Sequence, residues 1–253
     1  RQAPAPLGRP HWGWGLTGMT ISPYYAMPVK PQPQWGLPNG SKDMHGLLFF
    51  HPALQAAYKA WLKAVFTPKN PYTGTALKDD PAVAIIQIQN EDSLLFWTVS
   101  NIKGGDLERL QKLFGDWAAK KYGSPEEALA AWKGFKADGD DTAAGRLGLR
   151  HIWEMTQPVD ESSGRAVRLA DQTEFLAETM RSFNAEIVRY LREELGCKQL
   201  VNAGNWKTAD DAKLGDAERW SYTPGEVLGV NRYFTGGRHE GKQQGWAIVS
   251  GDR

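Results

Sequence analysis

The sequence predicts an α/β fold in which parallel strands alternate with helical crossovers. Three observations lead there. Strand-like apolar runs and amphipathic helical stretches alternate along the chain, the pattern of strand, crossover and parallel strand. The run from Ala82 to Gln89 is short, rich in Ile and Val, and almost unbroken, as in a strand buried on both faces of a parallel sheet. The strand candidates also end in polar or aromatic clusters, and the carboxyl ends of parallel strands are where α/β proteins build their sites.

Residues 1–15 are rich in Pro and Gly, carry Trp12 and Trp14, and read as irregular loop. Residues 16–22 form the first strand candidate, closed by Pro23, with Tyr24 and Tyr25 just past its carboxyl end. The next segment, to about Leu47, holds Pro28, Pro31, Pro33, Pro38 and Trp35. A loop that long in a compact domain is usually functional. His51-Pro52 opens a helix, proline being well accommodated in the first turn, and Leu54, Tyr58, Trp61, Leu62, Val65 and Phe66 form its apolar stripe. A loop leads to the Asp80-Pro81 turn and the strand over 82–90. Leu94 to Trp97 is apolar without a clear period and is expected to line or cover a site.

Asp106 is expected to cap the next helix, with Leu107, Leu110, Leu113, Phe114 and Trp117 on its stripe and Gly123 as its stop. Ser124-Pro125-Glu126-Glu127 is a capping box that starts another. A shorter helical piece is expected around Arg146 to Met155. Asp171 and Glu174 repeat the capping pattern ahead of the longest helix, which Gly196 ends. Residues 199–204 read as a strand that runs into Asn205-Trp206. A polar, Asp-rich loop comes next, and 225–230 is the last strand candidate, ending in Asn231-Arg232-Tyr233.

The bulk numbers exclude several classes. A net charge of +1 leaves no electrostatic footprint for nucleic acid, and no apolar run approaches the roughly 18 residues of a membrane span. The five His are scattered and the one cysteine, Cys197, has no His near it in sequence, so neither a metal site nor a cofactor is expected and the thiol reads as buried and structural. Tryptophan is the outlier, with eleven, many beside Gly, Asn or loop segments where flat faces suit sugar rings. A start at Arg1 rather than Met suggests an upstream segment outside this chain.

Glu91 is the leading candidate for chemistry. At a strand end it would stand between an apolar wall and a cleft, a setting that raises a carboxyl pKa towards general-acid use. The competing reading is an Asn-Glu-Asp turn that caps the next helix. In residue type, strand context and position, Gln89-Asn90-Glu91 resembles the Asn-Glu that ends the fourth strand in the retaining glycoside hydrolases of clan A, the cellulase and mannanase type that includes family 5. The resemblance implies a (β/α)8 barrel, with residues 16–22, 82–90, 200–205 and 228–231 as strands three to six. The chain would then be a single barrel domain that is incomplete at both ends.

The same resemblance implies roles. Glu91 would be the acid/base, Asn90 would contact the 2-hydroxyl of the reacting sugar, and Tyr233 would orient the nucleophile. Asn205, Trp206, Tyr24 and Trp97 would bind substrate, with Trp206 or Trp97 as a stacking wall. The partner would be a carbohydrate, and the location secreted or periplasmic. Two departures stand against it. The His that many members carry after strand three is replaced by Ser22, Pro23 and Tyr24. The nucleophile, a second Glu at the end of strand seven, has no counterpart, since Glu226 and Glu240 only flank strand six; it is expected beyond Arg253. The alternative is a carbohydrate-binding barrel that lacks the second carboxylate.

Overall fold

The computed structural model describes residues 18–20, 45–231, 238–239 and 242–243. Helices take up about 54% of it. The elements are β1 (Gly18–Thr20), α1 (Pro52–Phe66), β2 (Ile85–Gln87), α2 (Gly104–Tyr122), α3 (Pro125–Ala131), α4 (Ile152–Met155), α5 (Gly164–Arg189), β3 (Leu200–Asn202), α6 (Asp211–Ser221), β4 (Arg238–His239) and β5 (Lys242–Gln243). Short 3-10 turns cover Leu47–Phe49, Leu77–Asp79, Trp97–Asn101 and Thr142–Ala144, and a π-helical turn, Tyr190–Glu194, prolongs α5.

β1, β2 and β3 form one parallel sheet in that order, with Met19 opposite Ile86 and Ile86 opposite Val201. A single parallel bridge from Asn202 to Val227 sets the next segment alongside β3. β4 and β5 make a separate antiparallel pair. This corrects the expected barrel. The described sheet is small, its strands are three residues long, and helices outweigh it, which does not fit a piece of a (β/α)8 barrel. Among the described residues the parallel alternation is there and the closed architecture is not.

The physical reason is visible in the strand expected over 82–90. Ile86 and Ile88, on one face, are fully buried, whereas Ile85 and Gln87, on the other, are only half-buried, and the regular ladder is three residues long. Gln87 and Gln89 put polar amides on that second face, which leaves it little apolar area to bury. The residues expected to form a strand over 225–230 alternate outward as Glu226, Leu228 and Val230, and make only the one bridge.

The core lies between the sheet and the long helices. α1 buries Leu54, Tyr58, Leu62 and Phe66, four of its six predicted stripe residues. Phe114 of α2 stacks between Trp132 and Phe175 of α5, at centroid distances of 5.6 and 5.0 Å. Ser124 caps α3 by accepting from the Glu127 N–H, and Gly123 closes α2 with a φ of 105°. Three helix expectations need correction. α2 begins at Gly104, so Asp106 lies inside its first turn, buried 3.6 Å from His51. Only Ile152–Met155 is helical in the stretch from Arg146.

α5 begins at Gly164, capped by Ser163, so Asp171 is mid-helix rather than a cap. There it accepts from Tyr122 Oη (2.7 Å), Trp132 Nε1 (2.6 Å) and Lys121 Nζ (2.9 Å). An Asp that draws three donors from two neighbouring segments satisfies a buried charge and pins α2 to α5. The Asp-rich stretch expected to be a loop contains α6, whose cap, Asp210, accepts from both Ala212 and Lys213 N–H.

Candidate functional site

The site is built where β2 and β3 end. Their pairing continues past the strands, the Ile88 N–H donating to Asn202 O at 2.9 Å and the Gln89 N–H to Ala203 O at 3.3 Å. Buried Tyr58 donates to Ile88 O at 2.6 Å and ties this end of β2 to α1. The backbone then turns sharply, since Glu91 has a φ of 54°. A non-glycine residue in the left-handed region carries a cost of about 1 kcal/mol or more, and such residues concentrate at functional sites.

Side chains from three segments meet on this turn. The Asn205 amide accepts the Glu91 N–H at 2.9 Å and donates through Nδ2 to Asn90 Oδ1 at 2.9 Å. The Asn231 amide donates to Glu91 Oε1 at 2.7 Å. The Asn231 N–H in turn donates to Asn205 O at 2.6 Å, so the third segment is fixed to the second. Glu91 and Asn90 are half-buried, and Asn205 is buried. The result is a partly exposed carboxylate, one of whose oxygens is oriented by an amide donor, framed by three Asn side chains.

The layer beneath carries more charge. Asp92 turns into the protein and both its oxygens accept the Gly46 N–H at 3.0 Å. Glu218 of α6 is wholly buried; it accepts from Ser93 Oγ at 2.5 Å and from Tyr222 Oη. Burial pushes the Glu218 carboxyl up to about 7, against the two hydroxyl donors and with the help of the Asp92 charge. Tyr222 Oη also accepts the Trp206 N–H at 3.1 Å. Its own ionisation is driven well upwards by burial and by Glu218.

Of the residues that the sequence singles out, the structure brings Asn90, Glu91 and Asn205 into direct contact. Trp206 lies beside them, its ring edge-on to Phe96 at 4.8 Å between centroids. Trp97 opens the 3-10 turn after Phe96 and is exposed. Leu94 and Leu95 are core residues rather than site lining. Tyr24 and Tyr233 lie outside the described residues, as do Trp12, Trp14, Trp35 and Trp246. The sequence reading assigns no role to Asn231, although its place at a strand end is a signal, and none to Ser93, Glu218 or Tyr222. For the last two no strand pattern points to them, because they lie on or just after a helix that reads as loop.

The other carboxylates near these segments are engaged elsewhere. Glu226 pairs with Arg192 at 2.8 Å and accepts the Val201 N–H at 2.7 Å, which lowers its pKa despite partial burial. A separate hollow of about 270 Å³ lies between α2, α4 and α5, with Ser100, Arg150, His151 and Glu154 on its wall, and Glu91 is not part of it. Cys197 is buried, and desolvation pushes its thiol up. Among the described residues no three His, Cys, Asp or Glu side chains are grouped so as to hold a metal, and no helix is long and apolar enough to cross a membrane.

Compared with protein-family models, with curated proteins and with solved structures, the chain gives no match.

Proposed function

We propose that the protein is a retaining glycoside hydrolase that cleaves O-glycosidic bonds of an oligo- or polysaccharide, with Glu91 as general acid/base. The observation that carries this reading is a half-exposed Glu91 at the ends of parallel strands, its carboxylate bonded by Asn231 and its backbone N–H held by Asn205, which also bonds Asn90. Amides suit sugar hydroxyls, because each offers a donor pair and an acceptor. The likeness of Gln89-Asn90-Glu91 to the clan A dipeptide supports the same assignment.

In this mechanism Glu91 protonates the departing glycosidic oxygen while a second carboxylate attacks the anomeric carbon, and Glu91 then takes a proton from the water that releases the sugar. Asn90 bonds the 2-hydroxyl, Tyr233 orients the nucleophile, and Trp206, Trp97 and Tyr24 supply aromatic surface. The two carboxyl groups stand about 5–5.5 Å apart in such enzymes. Asp92 and Glu218 are both buried in bonds to other groups, so the proposal takes the nucleophile from outside the described residues. A secreted or periplasmic location goes with this activity.

The test is turnover by the complete protein and by Glu91→Gln on an oligosaccharide and on aryl glycosides of graded leaving-group ability. Loss of about 10²–10⁴-fold on the oligosaccharide is expected, with a smaller loss in the first step for the most activated aryl glycoside. Full oligosaccharide turnover by the variant would overturn the assignment of Glu91. Sugar binding without turnover by the complete wild-type protein would overturn the hydrolase reading in favour of a binding protein.

A further inference from the structure

We propose that Glu218 is a positioning residue for Glu91, the buried joint from which the two segments that form the Glu91 turn are both held. The role in catalysis rests on the reading of Glu91 as acid/base; the mechanical role does not.

The residues form a closed circuit of bonds. Glu91 donates its N–H to Asn205. The next residue, Trp206, donates its N–H to Tyr222 Oη at 3.1 Å. Tyr222 Oη donates to Glu218 Oε1, and Ser93 Oγ donates to Glu218 Oε2 at 2.5 Å. Ser93 is two residues from Glu91, and the circuit closes. Two loops from different strands are thus tied at the front by Asn205 and at the back by one carboxylate.

Neither hydroxyl is idle apart from Glu218. Ser93 Oγ also accepts the Leu95 N–H at 2.8 Å, which shapes the turn after Glu91. Met180 of α5 lies on the far side, its sulfur 3.7 Å from Ser93 Oγ and accepting the Leu94 N–H at 3.2 Å. Glu218 and Tyr222 are four residues apart, hence on one face at the C-terminal end of α6, and that face points between the two loops. Tyr222 is 2% exposed, and Ser93 is fully buried. A carboxyl group is suited to this place because it has one oxygen for each of the two hydroxyls. The hydroxyls of Ser93 and Tyr222 and the charge of Asp92 act on it.

Backbone amide hydrogen exchange, followed residue by residue on the full chain, tests the joint without any substrate. In Glu218→Ala and in Tyr222→Phe the Trp206 and Glu91 amides are expected to exchange at least tenfold faster, while those of Leu62 and Phe66 in α1 stay as in wild type. Glu218→Gln keeps the shape and one acceptor and is expected to fall between. Should Glu218→Ala not fold, Tyr222→Phe, which removes one hydroxyl only, answers the question. An unchanged Glu91 amide in Tyr222→Phe would overturn the proposal. So would faster exchange across all amides, since Glu218 would then hold the fold and not the turn.

Glycoside turnover supplies the second readout. Tyr222→Phe is expected to lower kcat about tenfold with KM little changed. If Glu91→Gln proves fully active while the exchange result stands, the catalytic reading of Glu91 fails and the joint remains. If Glu91→Gln is inactive and the Glu91 amide is indifferent to Tyr222, the joint fails and the catalytic reading remains.

Discussion

The Asn231 side chain donates to the Glu91 carboxylate at 2.7 Å across 140 residues of sequence. A bond from an amide to a carboxyl oxygen is worth about 0.5–1.5 kcal/mol, more where the acceptor is charged, and fixes where the carboxyl points. Asn231→Ala is therefore expected to lower kcat about tenfold or more on an oligosaccharide, since each 1.4 kcal/mol or so in the barrier is a factor of about ten. KM should change less. Steady-state kinetics on the complete protein decide it, and an unchanged kcat would show that Asn231 does not orient the acid.

The backbone at Glu91 makes a separate prediction about stability. At a φ of 54° the Cβ of any L-residue is crowded, whereas glycine accepts this region freely. Glu91→Gly and Glu91→Ala both lose the Asn231 bond, so their difference isolates the backbone. Glu91→Gly is expected to be more stable than Glu91→Ala by about 1 kcal/mol in urea unfolding. If Glu91→Ala is the more stable of the two, the turn is not strained. A strain of this size kept at a carboxylate is a cost in stability that function would explain.

Glu218 sets a pH dependence. Its carboxyl is raised from 4.5 to about 7 in the fold, chiefly by burial. Between those two values the folded state holds a proton that the unfolded state has released. The stability tied to this group is therefore complete below about pH 4.5 and declines as pH rises towards 7, by an amount of order 3 kcal/mol. Glu218→Gln has no proton to lose, so its stability should vary less with pH across this window. Urea unfolding of both proteins from pH 4.5 to 8 measures the two slopes; parallel slopes would mean that Glu218 ionises normally.

How much of this protein is legible in its sequence depends on which signals are local. The helix over 52–66 is readable because its stripe repeats at 3.6 residues and Pro52 marks its start. The Asn-Glu turn is readable because an apolar run stops abruptly there. The barrel expectation fails because alternation of strands and helices says nothing about how long the regular ladders are, and those described here are three residues long. Asp171 resembles a cap because Asp followed three residues later by Glu is a common helix start; its three donors come from 39 to 50 residues away, beyond any local pattern. Glu218 is hidden for the same reason. Its partners Ser93 and Tyr222 come from a distant turn and from the end of a helix that an Asp-rich composition disguises.

Gly204 supplies the last prediction, because it is where the joint meets the strand end. A Cβ built there would lie 2.6 Å from Tyr222 Cε1 and 2.8 Å from Cζ. Tyr222 is almost fully buried and bonded at its hydroxyl on both sides, so the ring has little room to retreat. Gly204→Ala is thus expected to destabilise by about 1–3 kcal/mol, as overpacking does. The cause can be separated from any backbone effect by repeating the change in a Tyr222→Leu background, where the ring is gone. Residues in contact couple by about 0.5–3 kcal/mol, so the cost of Gly204→Ala should shrink markedly there. Equal costs in the two backgrounds would mean that the glycine is required for a reason other than the closeness of Tyr222.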